Sequence, residues 1–411
     1  MKNLTSFLLV AISFSTVYSQ SKVIYFGKVI NGKGVEIEDA AVLIDGEEII
    51  AVGAEKDVKV PANTTKVNLR AYTAIPGLID AHTHVTYYWD EAPGTKPWEQ
   101  LGTLGTAVTV FLARNNAIRA LETGVTTIRD LGSFNDMDFS MRELISRGEM
   151  IGPRMFVSGR GLSNRRTKGV EAVEKFAIEQ LDAGADWIKM YGSTGSGNDV
   201  TGEQTFSYEE MKAAVDVAQK AGKRISIHSY GPDGARDAVR AGTNTLEHAT
   251  DLDDETLAEM ARKNVIYVPT VDHNRYYVDH KDEYGYTDED VTNLNDYIGR
   301  NLETVKKAIK ADVKIAMGSD AVFTGFGENT RELKWFVRAG MTPAQALETA
   351  TTIGAEMLGM ENKLGTIAPG YFADLVAVEG NPLEDIEVVI NNVKWVMKSG
   401  QVVIDKTDTN K

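Results

Sequence analysis

Ser207-Tyr-Glu-Glu-Met-Lys-Ala-Ala-Val-Asp-Val-Ala-Gln-Lys-Ala-Gly-Lys-Arg-Ile-Ser-Ile-His-Ser-Tyr230 decides the fold class. Ser207 and Glu210 form a capping box, and Met211, Ala214, Val215 and Ala218 repeat at helical spacing until Gly222 stops the helix. A strand over 224–228 follows at once. Asp233 can cap a next helix ending at Gly242, a strand-like piece then runs to His248, and Thr342-Pro343 opens a later helix as N-cap and N1. Alternating strands and helices signal a parallel α/β architecture. Counted by their C-terminal ends, eight strands finish near His84, Asp130, Gly159, Lys189, His228, His248, Thr270 and Asp320. This predicts an α/β fold, a (β/α)8 TIM-like barrel over residues 76–368.

The flanks read differently. Short strands at 23–27, 41–44 and 49–52 alternate with turns such as Asn31-Gly32 and Asp45-Gly46, and 372–378, 388–390, 393–398 and 402–404 continue the style. Residues 20–75 and 369–411 are therefore expected to form one composite β-sandwich domain. Residues 1–19 pair Lys2 with a short apolar run and small residues, with Val17 and Ser19 placed for cleavage before Gln20. That is a signal-peptide pattern, which predicts export to a periplasmic or extracellular location, and its apolar run is too short to span a membrane.

At 411 residues the chain can bury a large core. A net charge of −15 offers no basic stripe for phosphates and excludes a nucleic-acid partner. With no cysteine, any metal must use His, Asp, Glu or a modified Lys.

In Pro76-Gly-Leu-Ile-Asp-Ala-His-Thr-His-Val85 an apolar strand ends in two imidazoles on one face, which suits zinc and its neighbours. His228 and His248 alone could be satisfied core histidines, yet four of the six histidines fall at strand ends. Asp320 can cap a helix, or bind metal and accept a proton from attacking water. Lys189, among apolar neighbours, can be a buried ion-pair partner or a snorkelling stem. Alternatively, desolvation favours its neutral amine, which can combine with carbon dioxide as a carbamate.

Pro76-Gly-Leu-Ile-Asp-Ala-His-Thr-His84, Asp186-Trp-Ile-Lys189, Arg224-Ile-Ser-Ile-His-Ser229, Leu246-Glu-His248, Gly318-Ser-Asp320 and Gly365-Thr-Ile-Ala-Pro-Gly-Tyr-Phe-Ala-Asp-Leu-Val376 together resemble the amidohydrolase superfamily. Within it the chain resembles the binuclear prolidase and Xaa-Arg or Xaa-Lys carboxypeptidase branch related to imidazolonepropionase. The resemblance implies two divalent ions, expected to be zinc. His82, His84 and Asp320 would hold one and His228 and His248 the other, with N6-carboxylated Lys189 bridging. It implies a metal-bridging hydroxide attacking an amide carbonyl, Asp320 moving the proton, and the Tyr230 hydroxyl assisting, unless Tyr230 only packs. A homo-oligomer is also implied.

Substrate contacts are sought in loops. Ser158-Gly-Arg-Gly-Leu-Ser-Asn-Arg-Arg-Thr-Lys168 offers Arg160, Arg165 and Arg166 to a substrate carboxylate, or simply a solvated loop. This segment departs from the longer Gly/His-rich loop of related prolidase-like chains. Pro269-Thr-Val-Asp-His-Asn-Arg-Tyr-Tyr277 offers His273, Asn274, Arg275 and Tyr276, suited to a dipeptide or acyl amino acid. The expected function is hydrolysis of such small-molecule amides. A one-metal deaminase or cyclic-amide hydrolase, or a non-catalytic binding scaffold, remain as alternatives.

Overall fold

A computed structural model of the chain describes residues 21–407. The expected signal peptide lies outside the described residues. The strands are β1 (Lys22–Ile30), β2 (Glu36–Asp45), β3 (Glu48–Ala54), β4 (Thr65–Pro76), β5 (Leu78–Thr83), β6 (Val125–Asp130) and β7 (Arg154–Val157). They continue as β8 (Trp187–Tyr191), β9 (Arg224–Ser229), β10 (Thr245–His248), β11 (Ile266–Val268), β12 (Leu375–Val378), β13 (Val393–Lys398) and β14 (Gln401–Asp405).

One seven-stranded sheet joins strands from both ends of the chain in the order β14-β13-β12-β4-β1-β2-β3. Its pairings are antiparallel except β1 with β4. The stretch 388–390, expected as a strand, instead lies in the short helix Glu387–Asn391. Asp385 accepts from the Glu387 amide at 2.9 Å and starts that turn.

Between these ends, strands alternate with helices, and every strand pairing is parallel. The helix Tyr208–Lys220 begins with the Ser207–Glu210 capping box, and Pro343–Thr349 begins with Thr342 capping Gln345. The helix Pro232–Ala241 differs: Gly231 is its N-cap, and Asp233 sits in the first turn paired with Arg236. Pro269–Tyr277 also differs from a loop, because Val271–Asp279 is helical. The buried Glu332 carboxylate caps it, accepting from the Val271 and Asp272 amides at 2.9 and 2.8 Å.

The parallel strands form two ladders, β11-β10-β9-β8 and β5-β6-β7, rather than one continuous closed ladder. The segment expected as the eighth strand forms no continuous ladder but meets both neighbours through isolated bridges, Tyr267 with Ile315 and Thr83 with Ala321, and through backbone bonds such as Ala81 N–H to the Met317 carbonyl at 2.8 Å and Asp320 N–H to the His82 carbonyl at 2.7 Å. Gly318 explains why this segment can lie so close. A Cβ there would stand 2.4 Å from Val268 Cγ1 and 3.0 Å from His82 Cβ. The other seam is bridged by Leu162, whose amide donates to the Lys189 carbonyl at 2.8 Å. Both ladders point their C-terminal ends toward one cavity, the face where α/β folds carry ligands.

Gly77 joins the mixed sheet to β5. Its missing side chain admits Thr126 Oγ1, which a Cβ would meet at 2.2 Å. Asp374 fastens the same junction, accepting from Arg154 Nη1 at 2.7 Å and from Thr126 Oγ1 at 3.2 Å. No helix among the described residues is long and apolar enough to cross a membrane.

Candidate active site

His82 and His84 leave the end of β5, Lys189 lies in β8, His228 in β9, and His248 closes β10. Asp320 stands among them. Its Oδ1 is 3.2 Å from His84 Nε2 and 3.5 Å from His82 Nε2, while its Oδ2 is 3.2 Å from His273 Nε2 and 3.9 Å from His248 Nδ1. Lys189 Nζ is 3.5 Å from His82 Nε2. The His228 and His248 rings meet edge to face at 4.4 Å.

The backbone is strained where these groups meet. His248, Thr270 and Asp320 all adopt left-handed φ values of 70°, 49° and 50°. Such conformations cost non-glycine residues about 1–3 kcal/mol each and cluster at functional sites. Here they turn the chain ends inward, so that residues from separate strands share one point.

Each imidazole is set by what its other nitrogen meets. His82 Nδ1 faces Glu247 Oε2 at 2.8 Å, His84 Nδ1 faces the Gly132 carbonyl at 3.0 Å, and His248 Nδ1 faces Thr270 Oγ1 at 2.7 Å. Asp80 locks the approach of β5 to the Asp320 segment. It accepts from the His82 and Ser319 amides, Ser319 Oγ and Asn329 Nδ2.

Burial shapes the charges. It lowers His82 to about 4, assisted by the Lys189 charge, and pushes His228 and His248 well below the usual imidazole range. These rings are therefore neutral donors. Burial also brings Lys189 down to about 8, against the pull of Glu247 and Asp320. Burial opposes ionisation of Asp320, but His273, His82 and His84 outweigh it and hold its carboxyl well below the usual range.

The fit to metal ions rests on this donor set. Neutral imidazoles, one ionised carboxylate and a desolvated lysine converge, and the buried His228 Nε2 has no hydrogen-bond partner among the described residues. Ligand atoms of His82, His248 and Asp320 all lie within 4.8 Å of one another. That trio takes members from both of the ligand sets expected from the sequence.

A cavity of 560 Å³ opens above the cluster, a size suited to a small-molecule ligand. Arg165 and Arg166 line it, as do Lys189, Tyr230, His273 and Asp320. Neither guanidinium is paired with a carboxylate among the described residues. Trp98, Phe134 and Tyr277 supply apolar walls. Tyr230 is buried, with its ring stacked on His228 at 5.2 Å and Tyr297 at 4.7 Å.

Two expected substrate contacts lie elsewhere. Arg160 turns away from the cavity to Asp136, at 3.2 Å, and over the Phe176 ring. Arg275 is held in a carboxylate cage of Asp272 at 2.7 Å, Glu328 at 2.6 Å and Asp279. Both cations are neutralised within the fold, which explains why neither faces the main cavity.

Sequence reasoning assigned no role to Glu247 or Arg129. Arg129 Nη2 donates to Glu247 Oε1 at 2.9 Å, its Nε donates to the Ala81 carbonyl at 2.6 Å, and its guanidinium lies 4.4 Å over Trp187. Both residues are fully buried. The available signal was a long charged residue next to an apolar one, Ile128 or Leu246, inside each of two short strands. Removing one partner of a buried pair leaves an uncompensated charge, so Arg129→Ala should cost about 3–5 kcal/mol. Denaturant unfolding measures this, and a loss below about 1 kcal/mol would contradict it.

The sequence profile of the amidohydrolase family matches residues 73–403. The chain is 31% identical to ochratoxinase of Aspergillus niger, over 91% of this chain and 84% of that one. It superposes on a Xaa-Pro dipeptidase with methionine bound in its active site at a TM-score of 0.84 and 28% identity, covering 93% of this chain and 99% of the other. A prolidase complexed with N-methylphosphonate-L-proline gives 0.85 and 29%, covering 94% and 100%. A match of this breadth, on a fold that gathers the distant motifs at one cavity, means that the chain belongs to the amidohydrolase family and is a hydrolase acting on carbon–nitrogen amide bonds.

Proposed function

We propose that the protein is an exported two-metal hydrolase of dipeptides or N-acyl amino acids, of the prolidase or Xaa-Arg/Lys carboxypeptidase kind, on a (β/α)8 scaffold. The observation that carries this reading is one cavity uniting the His/Lys/Asp cluster with two unpaired arginines. His82, His84 and Asp320 would hold one ion and His228 and His248 the other, and carboxylated Lys189 would serve both. Bound divalent ions, zinc in this reading, supply Lewis acidity and a nucleophile at neutral pH.

The protein's own groups do the rest. Neutral Lys189 adds to carbon dioxide, forming an N–C bond and losing one proton to solvent, which yields the carbamate anion. Asp320 takes a proton at its carboxylate and delivers it to the leaving amine. The Tyr230 hydroxyl donates toward the substrate carbonyl oxygen. Arg165 and Arg166 hold the substrate carboxylate, and Trp98 and Tyr277 exclude water around the apolar part. Similarity to a prolidase and to ochratoxinase supports the amide chemistry.

One observation favours a second reading, a one-metal deaminase or cyclic-amide hydrolase: the tight trio of His82, His248 and Asp320 is a single-ion set. Metal content separates the two, at two ions or one per chain.

Purified enzyme supplied with zinc and bicarbonate should hydrolyse members of a library of dipeptides and N-acyl amino acids. No turnover of any member would sink the proposal. With the best substrate, the double variant Arg165→Ala, Arg166→Ala should raise KM about 10–100-fold, the loss of one or two charge-assisted contacts. The same substrate with its carboxylate capped as an amide should be insensitive to the substitutions.

A further inference from the structure

Glu247 sits directly behind His82, at a point the proposed chemistry does not use. Its Oε2 accepts from His82 Nδ1 at 2.8 Å, and its Oε1 accepts from Arg129 Nη2, Ser226 Oγ and Thr245 Oγ1. All five side chains are fully buried. Arg129 is itself pinned by the Ala81 carbonyl and Thr245 Oγ1, so the carboxylate has neither room nor reason to rotate. His82 is thereby fixed with its proton on Nδ1, and its Nε2 lone pair faces the cavity cluster.

His84 and His248 are backed differently. His84 donates to a neutral carbonyl and His248 Nδ1 meets a neutral hydroxyl at 2.7 Å with Asp320 Oδ2 beyond it at 3.9 Å, so a carboxylate at hydrogen-bond distance backs His82 but neither of these two rings. An anionic acceptor behind an imidazole raises the donor strength of its opposite nitrogen, and removing such an acceptor typically costs 10–100-fold in metal affinity. We infer that Glu247, clamped by Arg129, is a positioning residue that makes the two metal positions unequal, the position joined by His82 being the tighter. This rests on the two-metal reading above.

The test is zinc titration of the metal-free full chain against a competing chelating dye. Wild type should show two separated affinities. Glu247→Gln should weaken the tighter one about 10–100-fold and leave the weaker one unchanged. Should the single variant fail to fold, Glu247→Gln with Arg129→Met removes both buried charges together and should give the same selective loss. Unchanged affinities in a folded variant, or an equal fall at both positions, overturn the inference. ¹⁵N-imidazole spectra of the metal-free wild type should show His82 protonated at Nδ1. A different tautomer overturns the positioning role even where metal binds, whereas a wild type that binds no zinc overturns the two-metal reading and the affinity ranking with it.

Discussion

Asp320→Asn is expected to lower kcat/KM by about 10³–10⁴-fold while leaving the protein folded. The carboxylate touches His82, His84, His248 and His273 within 3.9 Å, so it joins four of the cluster's imidazoles. Asparagine keeps its shape and one acceptor oxygen but cannot take a proton from the nucleophile. The amide also removes the negative charge that offsets neighbouring cations. Proton transfer by a positioned carboxylate contributes about 10²–10⁴-fold, and weakened metal holding adds to that loss. The fall should appear in kcat, because no substrate contact is removed. Thermal unfolding should move little, since Asp320 lies in a cavity wall and carries no helix cap. A variant retaining a tenth of wild-type kcat would remove Asp320 from the proton path.

What could be read from the sequence divides along physical lines. His82, His84, Lys189, His228 and His248 were legible because each falls within or just after a short strand-like stretch, a purely local pattern. Asp320 was legible through its Gly-Ser-Asp context, although the strand before it is reduced to isolated bridges. Glu247 and Arg129 were not, because their meaning is a contact between residues 118 positions apart. The same holds for the helix Val271–Asp279. Its first amides are satisfied by Glu332, about 60 residues on, while Thr270 at the N-cap position makes no side-chain cap and turns its hydroxyl to His248 instead. At 388–390, three β-branched residues in a row suggested a strand, yet a turn begun by Asp385 overrode that propensity. The cationic loop shows the limit for substrate contacts. Arg160 and Arg165 are equivalent as letters, and only Asp136 distinguishes the neutralised one from the free one.

Lys189→Ala should reduce turnover about 10³-fold or more and lower the bound metal from two ions toward one. Lys189 is 1% exposed, so deprotonation is favoured by burial alone, and its ammonium falls to about 8. Its Nζ lies 3.5 Å from a histidine nitrogen rather than from a carboxylate, so an ordinary buried ion pair is not its role. An amine that burial drives toward its neutral form is a nucleophile for carbon dioxide, and the carbamate that results is a metal-ligating anion. Two substitutions separate this chemistry from packing. Lys189→Met keeps the buried stem and should be as inactive as alanine, while Lys189→Arg keeps a cation but cannot lose its proton to react. In Lys189→Ala the space left by the side chain can admit a small carboxylic acid. Added acetate or propionate should therefore restore part of the metal content and activity, and should do nothing for Lys189→Met, where the stem fills that space. Full activity and two bound ions in Lys189→Met would show that the lysine serves the fold alone, and the bridged two-metal chemistry would have to be abandoned.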